Sequence, residues 1–145
     1  MLIGVDPRLT PEAIYAIAAM GHGDVLSIVD ANFPAHAAGL KTPWGTCVDF
    51  GGSATEALAA ILPLMPIDPF DAERPPVRAM QQVDDPDTPA AVVAEALPMI
   101  RAKGFDIAMT ERFAFYDHAD ASFVILRTRE RRLYGNFILR KGVIT

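Results

Sequence analysis

Apolar residues along this chain switch repeatedly between helical and strand spacing, and turn residues mark each switch. Thr10-Pro11-Glu12 opens the first helical stretch with a capping side chain, a proline at the first helical position and an acid in the first turn. Ile14, Ile17 and Ala18, with Tyr15, supply its buried stripe. Gly21 is expected to end it, because the position just past a helix usually needs positive φ. Val25 to Val29 is short and β-branched, the pattern of an interior strand. Residues 31–47 contain Pro34, Gly39, Pro43 and Gly45 and read as a long loop, followed by a short strand from Cys47 to Phe50. Ser53-Ala-Thr-Glu56 is a capping box for a second helix, Ala54 to about Leu62, stopped by Pro63 and Pro66. Ile67 to Pro76 reads as loop and Val77 to Val83 as a strand. Thr88-Pro89 repeats the cap-then-proline opening and predicts a third helix, about Ala90 to Lys103, with Gly104 as its stop. A strand from Phe105 to Met109, a short helix capped by Thr110, and strands at Ser122 to Arg127 and Asn136 to Arg140 complete the pattern. The alternation predicts an α/β fold: one three-layer α/β/α domain, residues 1–145, around a largely parallel central sheet.

Composition narrows the function. The chain has 145 residues, 51% hydrophobic and 21% charged, which suffices for one domain with a substantial core. A net charge of −5 excludes a partner bound through its phosphate backbone, so no nucleic acid is expected. No run approaches the ~20 apolar residues needed to span a bilayer. The N-terminus lacks the basic start of a signal peptide, so a cytoplasmic protein with no membrane partner is expected. The single Cys47 leaves no internal disulfide. A mean hydropathy of +0.22 in an acidic chain points to apolar surface covered in a homo-oligomer.

Candidate chemistry gathers around the first strand. His22 stands between glycines, without apolar packing partners, just past a helix C-terminus whose dipole favours a protonated ring. Histidine titrates near pH ~6.5, so this one can serve as a general acid or simply as a turn residue. Asp30 falls at the carboxyl end of the strand, the edge where open α/β sheets bind ligands, and an Asx turn is its bland alternative. His36 and His118 are ambiguous among solvent, structural and site roles. No histidine pair has helical zinc spacing and Cys47 has no cysteine partner, so neither a metal nor a cofactor is expected. Phe50-Gly-Gly-Ser53 is not a phosphate loop, although Gly51-Gly52 precede a capped helix whose N-terminus can hold an anion. Arg112 within Arg-Phe-Ala-Phe-Tyr116 and Tyr134-Gly-Asn136 add an arginine, tyrosines and an asparagine. Together these groups form a set able to hold a polyhydroxylated neutral ligand.

Taken in order, Gly21-His-Gly-Asp24, Asp30-Ala-Asn-Phe-Pro-Ala-His36, Arg112-Phe-Ala-Phe-Tyr116, Tyr134-Gly-Asn136 and Lys141-Gly-Val143 resemble the L-fucose mutarotase and D-ribose pyranase family. The resemblance implies a sugar mutarotase that needs no cofactor and forms ring-like homo-oligomers with pockets at subunit boundaries. It implies His22 as proton donor, Tyr116 as a pocket tyrosine assisting proton transfer, and Asp30, Arg112, Tyr134, Gly135 and Asn136 as sugar contacts. Phe33-Pro34 and Tyr134-Gly135 resemble the fucose branch. Asn32 stands where that branch commonly has histidine, and an asparagine cannot shuttle a proton at neutral pH.

Overall fold

The computed structural model describes residues 1–145 as a six-stranded sheet with helices on both faces. In chain order the elements are α1 (Pro11–Ala19), β1 (Val25–Val29), α2 (Ala35–Gly39), β2 (Cys47–Asp49), α3 (Ala54–Ile61), β3 (Val77–Met80), α4 (Ala91–Arg101), β4 (Ala108–Thr110), α5 (Arg112–Asp120), β5 (Val124–Arg127) and β6 (Phe137–Arg140). The strands lie in the order β2-β5-β1-β6-β3-β4. β2, β5 and β1 pair in parallel, as do β3 and β4, while β6 pairs antiparallel with both β1 and β3. Five strands therefore share one direction, and β6 alone runs against them.

The inner strands β5, β1, β6 and β3 are largely buried on both sides because alternate residues serve two cores, while the edge strands β2 and β4 are more open. Leu26, Ile28, Leu126, Val77, Phe137 and Leu139 face the larger core under α1, α3 and α4. Val29, Ile125, Met80 and Ile138 face a smaller one under α2 and α5, where Phe33, Phe115 and Ala119 pack. On β1, the buried Ser27 hydroxyl meets that of Ser122, just ahead of β5, at 2.7 Å, and Ser122 also donates to the His118 carbonyl at 3.1 Å.

The capping signals at Thr10 and at Ser53/Glu56 operate as the sequence indicates. Other boundaries move. The long loop contains α2, whose Gly39 admits the backbone of Thr46 and Cys47 so closely that a Cβ would lie 2.5 Å from the Cys47 nitrogen. Helix α1 ends at Met20 in an extended conformation, and the left-handed residue of the following turn is Gly23 (φ +85°), not Gly21. The Lys141 ammonium donates to the carbonyls of Ile17 (2.9 Å) and Met20 (2.6 Å), so a lysine from the far end of the chain closes that helix. Helix α4 starts at Ala91, beside the expected Ala90, but its N-cap is Ala90, so Thr88-Pro89 does not open it. Helix α5 is capped by Glu111, which accepts from Phe113 and Ala114, while Thr110 ends β4.

The loop from β5 to β6 is fixed from within by Glu130. Its buried carboxylate accepts from the Arg132 guanidinium (2.9 Å to each oxygen) and reaches the Ala54 amide at the start of α3. Gly135 lies against it: a Cβ there would sit 2.6 Å from Glu130 Cγ. The Arg132 bonds hold the Glu130 carboxyl down from 4.5 to about 2. A depressed folded pKa adds stability that is complete above pH 4.5 and lost as pH falls toward 2. Urea unfolding of Glu130→Gln should therefore show a loss of up to about 3 kcal/mol at pH 7, shrinking against the unmodified protein as pH falls through that window.

Candidate active site

β1 has a polar cluster at each end. At its carboxyl end, Asp30 is 4% exposed and locked to Asn136 in both directions. The Asp30 amide donates to Asn136 Oδ1 (2.9 Å), and Asn136 Nδ2 donates to Asp30 Oδ2 (2.8 Å). The other carboxylate oxygen accepts from the amides of Asn32 (2.9 Å) and Phe33 (3.0 Å), which is the Asx turn. Burial pushes the Asp30 carboxyl above its ordinary range, against the pull of the amides of Asn32, Phe33 and Gly135 and of the Asn136 side chain. Tyr134 reaches this edge through a left-handed backbone (φ +61°), which a tyrosine adopts only when its surroundings impose it.

Arg112 opens α5 directly after β4, whose carboxyl end lies on the same side of the sheet as Asp30. Its guanidinium rides 4.9 Å above the Phe113 ring. Its Nε is buried and finds no acceptor in the protein. Leaving such a donor unpaired costs about 1–3 kcal/mol. Tyr116 follows one turn later, with Phe33 5.2 Å from its ring. Phe33 is buried between Tyr116 and Phe115, whereas Phe113 is 64% exposed. Of these four rings, Phe113 is the one most open to solvent.

At the amino end of β1 sits His22, half exposed, with Nε2 3.4 Å from Asp68 Oδ1 and its ring edge-on to Phe70 at 5.9 Å. Asp68 is a residue that sequence reading passed over, because a Pro- and Asp-rich loop carries no periodic signal. Its carboxylate is buried and also accepts from the Phe70 amide (2.9 Å) and from Arg140 Nε (2.8 Å). The Phe70 amide first, then Arg140 and His22, hold it below the usual carboxylate range. Asp24 turns inward to accept from the Gly21 amide at 2.7 Å, which shapes the turn that presents His22.

The structure therefore gathers Asp30, Arg112, Tyr116, Tyr134, Gly135 and Asn136 at one edge and leaves His22 at the other. Four residue steps of β1 separate the two ends by about 13 Å. His36 is exposed on α2 and belongs to neither cluster. His118 lies toward the amino edge, where its Nε2 is 2.9 Å from Arg78 Nη1, and burial followed by that guanidinium pushes its pKa down.

The carboxyl ends of the strands, where α/β sheets bind small molecules, carry one of the two polar clusters of this six-stranded sheet. The RbsD / FucU transport protein family matches residues 3–144. The chain is 39% identical to an L-fucose mutarotase from Glaesserella parasuis serovar 5, covering 99% of this chain and 96% of that one. It is 37% identical to a fucose mutarotase from Homo sapiens, over 99% of this chain and 94% of that protein. The crystal structure of a Streptococcus pneumoniae fucose mutarotase in complex with L-fucose superposes with a TM-score of 0.87 at 28% identity, covering 99% of this chain and all of that one. This chain belongs to the RbsD / FucU family.

Two substitutions separate the clusters by their stability effects. Asp68→Ala removes the partner of the nearly buried Arg140, and thermal unfolding should show a loss of about 3 kcal/mol or more. Arg112→Met removes a donor that has no acceptor in the free protein, so the same measurement should show no loss and a Tm equal to or above the unmodified one.

Proposed function

We propose that this protein is a sugar mutarotase that interconverts the anomers of a free aldose, with L-fucose as the preferred substrate and D-ribose as a weaker one. The observation that carries the reading is the buried, unpartnered Nε of Arg112, at the sheet edge that also holds Asp30, Asn136 and two tyrosines. Such an array is built of donors and acceptors for hydroxyl groups. Full-length relatives bearing the name fucose mutarotase, at 37% and 39% identity, support it.

The reaction needs a proton delivered to the ring oxygen and one taken from the anomeric hydroxyl. The bond from the anomeric carbon to the ring oxygen then breaks, the open-chain aldehyde turns, and the ring closes on its other face. His22, oriented by Asp68, delivers the proton. Burial makes Asp30 a stronger base than an ordinary carboxylate, and it or Tyr116 takes up the hydroxyl proton. Each positioned acid or base contributes about 10²- to 10⁴-fold. The remaining groups at the carboxyl edge bind and orient the sugar.

Because β1 stands between His22 and Asp30 within one chain, a complete site takes His22 from one copy and the carboxyl-edge residues from the next. This makes the homo-oligomer part of the active site and predicts complementation. Saturation-transfer NMR on the anomeric protons should find His22→Ala and Asp30→Asn each inactive alone. Co-refolded in equal amounts they should recover about a quarter of the activity, the fraction of boundaries that pair two intact halves. An inactive mixture would show that one chain supplies both groups. Sugar binding without accelerated exchange in the unmodified protein would make it a binding module of sugar uptake instead of an enzyme.

The C6 methyl of L-fucose gains by leaving water for aromatic carbon. Burying one such carbon contributes about 0.8 kcal/mol, a preference of about fourfold. Phe113→Ala should narrow the ratio of fucose to ribose exchange rates by about that factor without unfolding the protein, since Phe113 is exposed and Phe33 is not. Faster exchange of ribose than of fucose in the unmodified protein would overturn the substrate assignment.

A further inference from the structure

Beside the sugar-contacting edge, a second cleft opens where the parallel strands β2, β5 and β1 end. Its volume is ≈ 730 Å³, within the range of small-molecule sites. Arg8, Arg127, Arg129 and Arg131 line it, with Asp49 as the one acid in the wall. In a chain of net charge −5 with only 13 lysines and arginines, four of them converge here. None belongs to the residues assigned to sugar.

Two of the arginines are fixed and two are free. Asp49 holds Arg127 through both carboxylate oxygens, at 2.7 and 3.2 Å. Asp6 (2.7 Å) and Glu56 (2.6 Å) hold Arg8, which also lies over the Phe50 ring. Arg129 and Arg131 are exposed and form no ion pair. The N-terminus of α3 is not the attraction, since Ser53, Glu56 and Glu130 already close it. What remains is an arrangement of guanidinium forks with donors to spare, at the sheet edge where α/β folds bind ligands.

We propose that this cleft is a second binding site, for a small polar phosphomonoester whose phosphate is held by Arg129 and Arg131 between the anchored Arg8 and Arg127. Guanidinium forks match phosphate oxygens in pairs, and a phosphomonoester, with about −1.5 to −2 charges and three terminal oxygens against one charge and two oxygens on a carboxylate, can answer both free arginines at once. A phosphate alone leaves most of the cleft empty, and Ala31 and Phe50 are the only hydrophobic residues in its lining, so the rest of the ligand is polar. The site adjoins the sugar edge through one loop: the Ala31 amide donates to the Glu130 carbonyl (2.8 Å), and Glu130 lies between the two free arginines in sequence.

Titration calorimetry tests this without reference to mutarotation. The probes are inorganic phosphate and glucose 6-phosphate, added to the unmodified protein and to the double variant Arg129→Gln/Arg131→Gln. Glucose 6-phosphate should bind more tightly than inorganic phosphate, and the double variant should lose tenfold or more of that affinity, while Arg101→Gln, far from the cleft, leaves it unchanged. No saturable binding up to ~10 mM, or equal affinity in the double variant, overturns the site. Equal binding of the two probes overturns the monoester assignment. A change of subunit number in the double variant by light scattering shows that the cleft is a contact between copies, which overturns it as well.

Discussion

The two-way bond between Asp30 and Asn136 is the constraint on which the carboxyl edge depends. It ties the end of β1 to the start of β6, the one strand that runs against the other five. Asn136 is thereby fixed by its side chain, and its carbonyl accepts from the Met80 amide at 3.1 Å, which brings in the end of β3. Thr110, at the end of β4, accepts from Gln81 at 2.8 Å and carries the register on to Arg112. One buried amide–carboxylate pair thus sets the relative height of four strand ends. Buried polar pairs of this kind are costly when half satisfied, and here each residue answers the other.

Charge organises the remainder. Glu130 and Arg132, with Glu95 as a further acid on the same guanidinium, hold the loop that delivers Tyr134 and Gly135. Asp68 does the equivalent at the other end of the sheet, joining the buried Arg140 to His22. In each place a carboxylate pinned by an arginine fixes a short irregular segment that has no helix or strand to define it. The strain of a left-handed Tyr134 is sustained by the packing around that loop.

Local chemistry determined much of this protein. The capping box at Ser53, the Thr10-Pro11 start, the β-branched run of β1 and the alternation of helix with strand are short-range effects, readable wherever they occur. So the α/β class and the dominance of parallel strands were legible. Boundaries slipped where a distant group decided them. Lys141 closes α1 from across the chain, Glu111 displaces Thr110 as cap, and Gly39 makes room for α2 in what reads as loop.

Tertiary structure alone decided which site residues meet. Sequence proximity joins His22 to Asp30, eight positions apart, yet an extended strand carries them to opposite edges of the sheet. Asp30 and Asn136, 106 positions apart, share hydrogen bonds because β1 and β6 are neighbours. Asp68 joins His22 for the same kind of reason: the Asp68 amide donates to the Arg140 carbonyl on β6 at 3.1 Å, and no local pattern encodes that pairing. Burial, which raises Asp30 and leaves Arg112 Nε without a partner, is likewise a property of the packed sheet edge and not of any residue type.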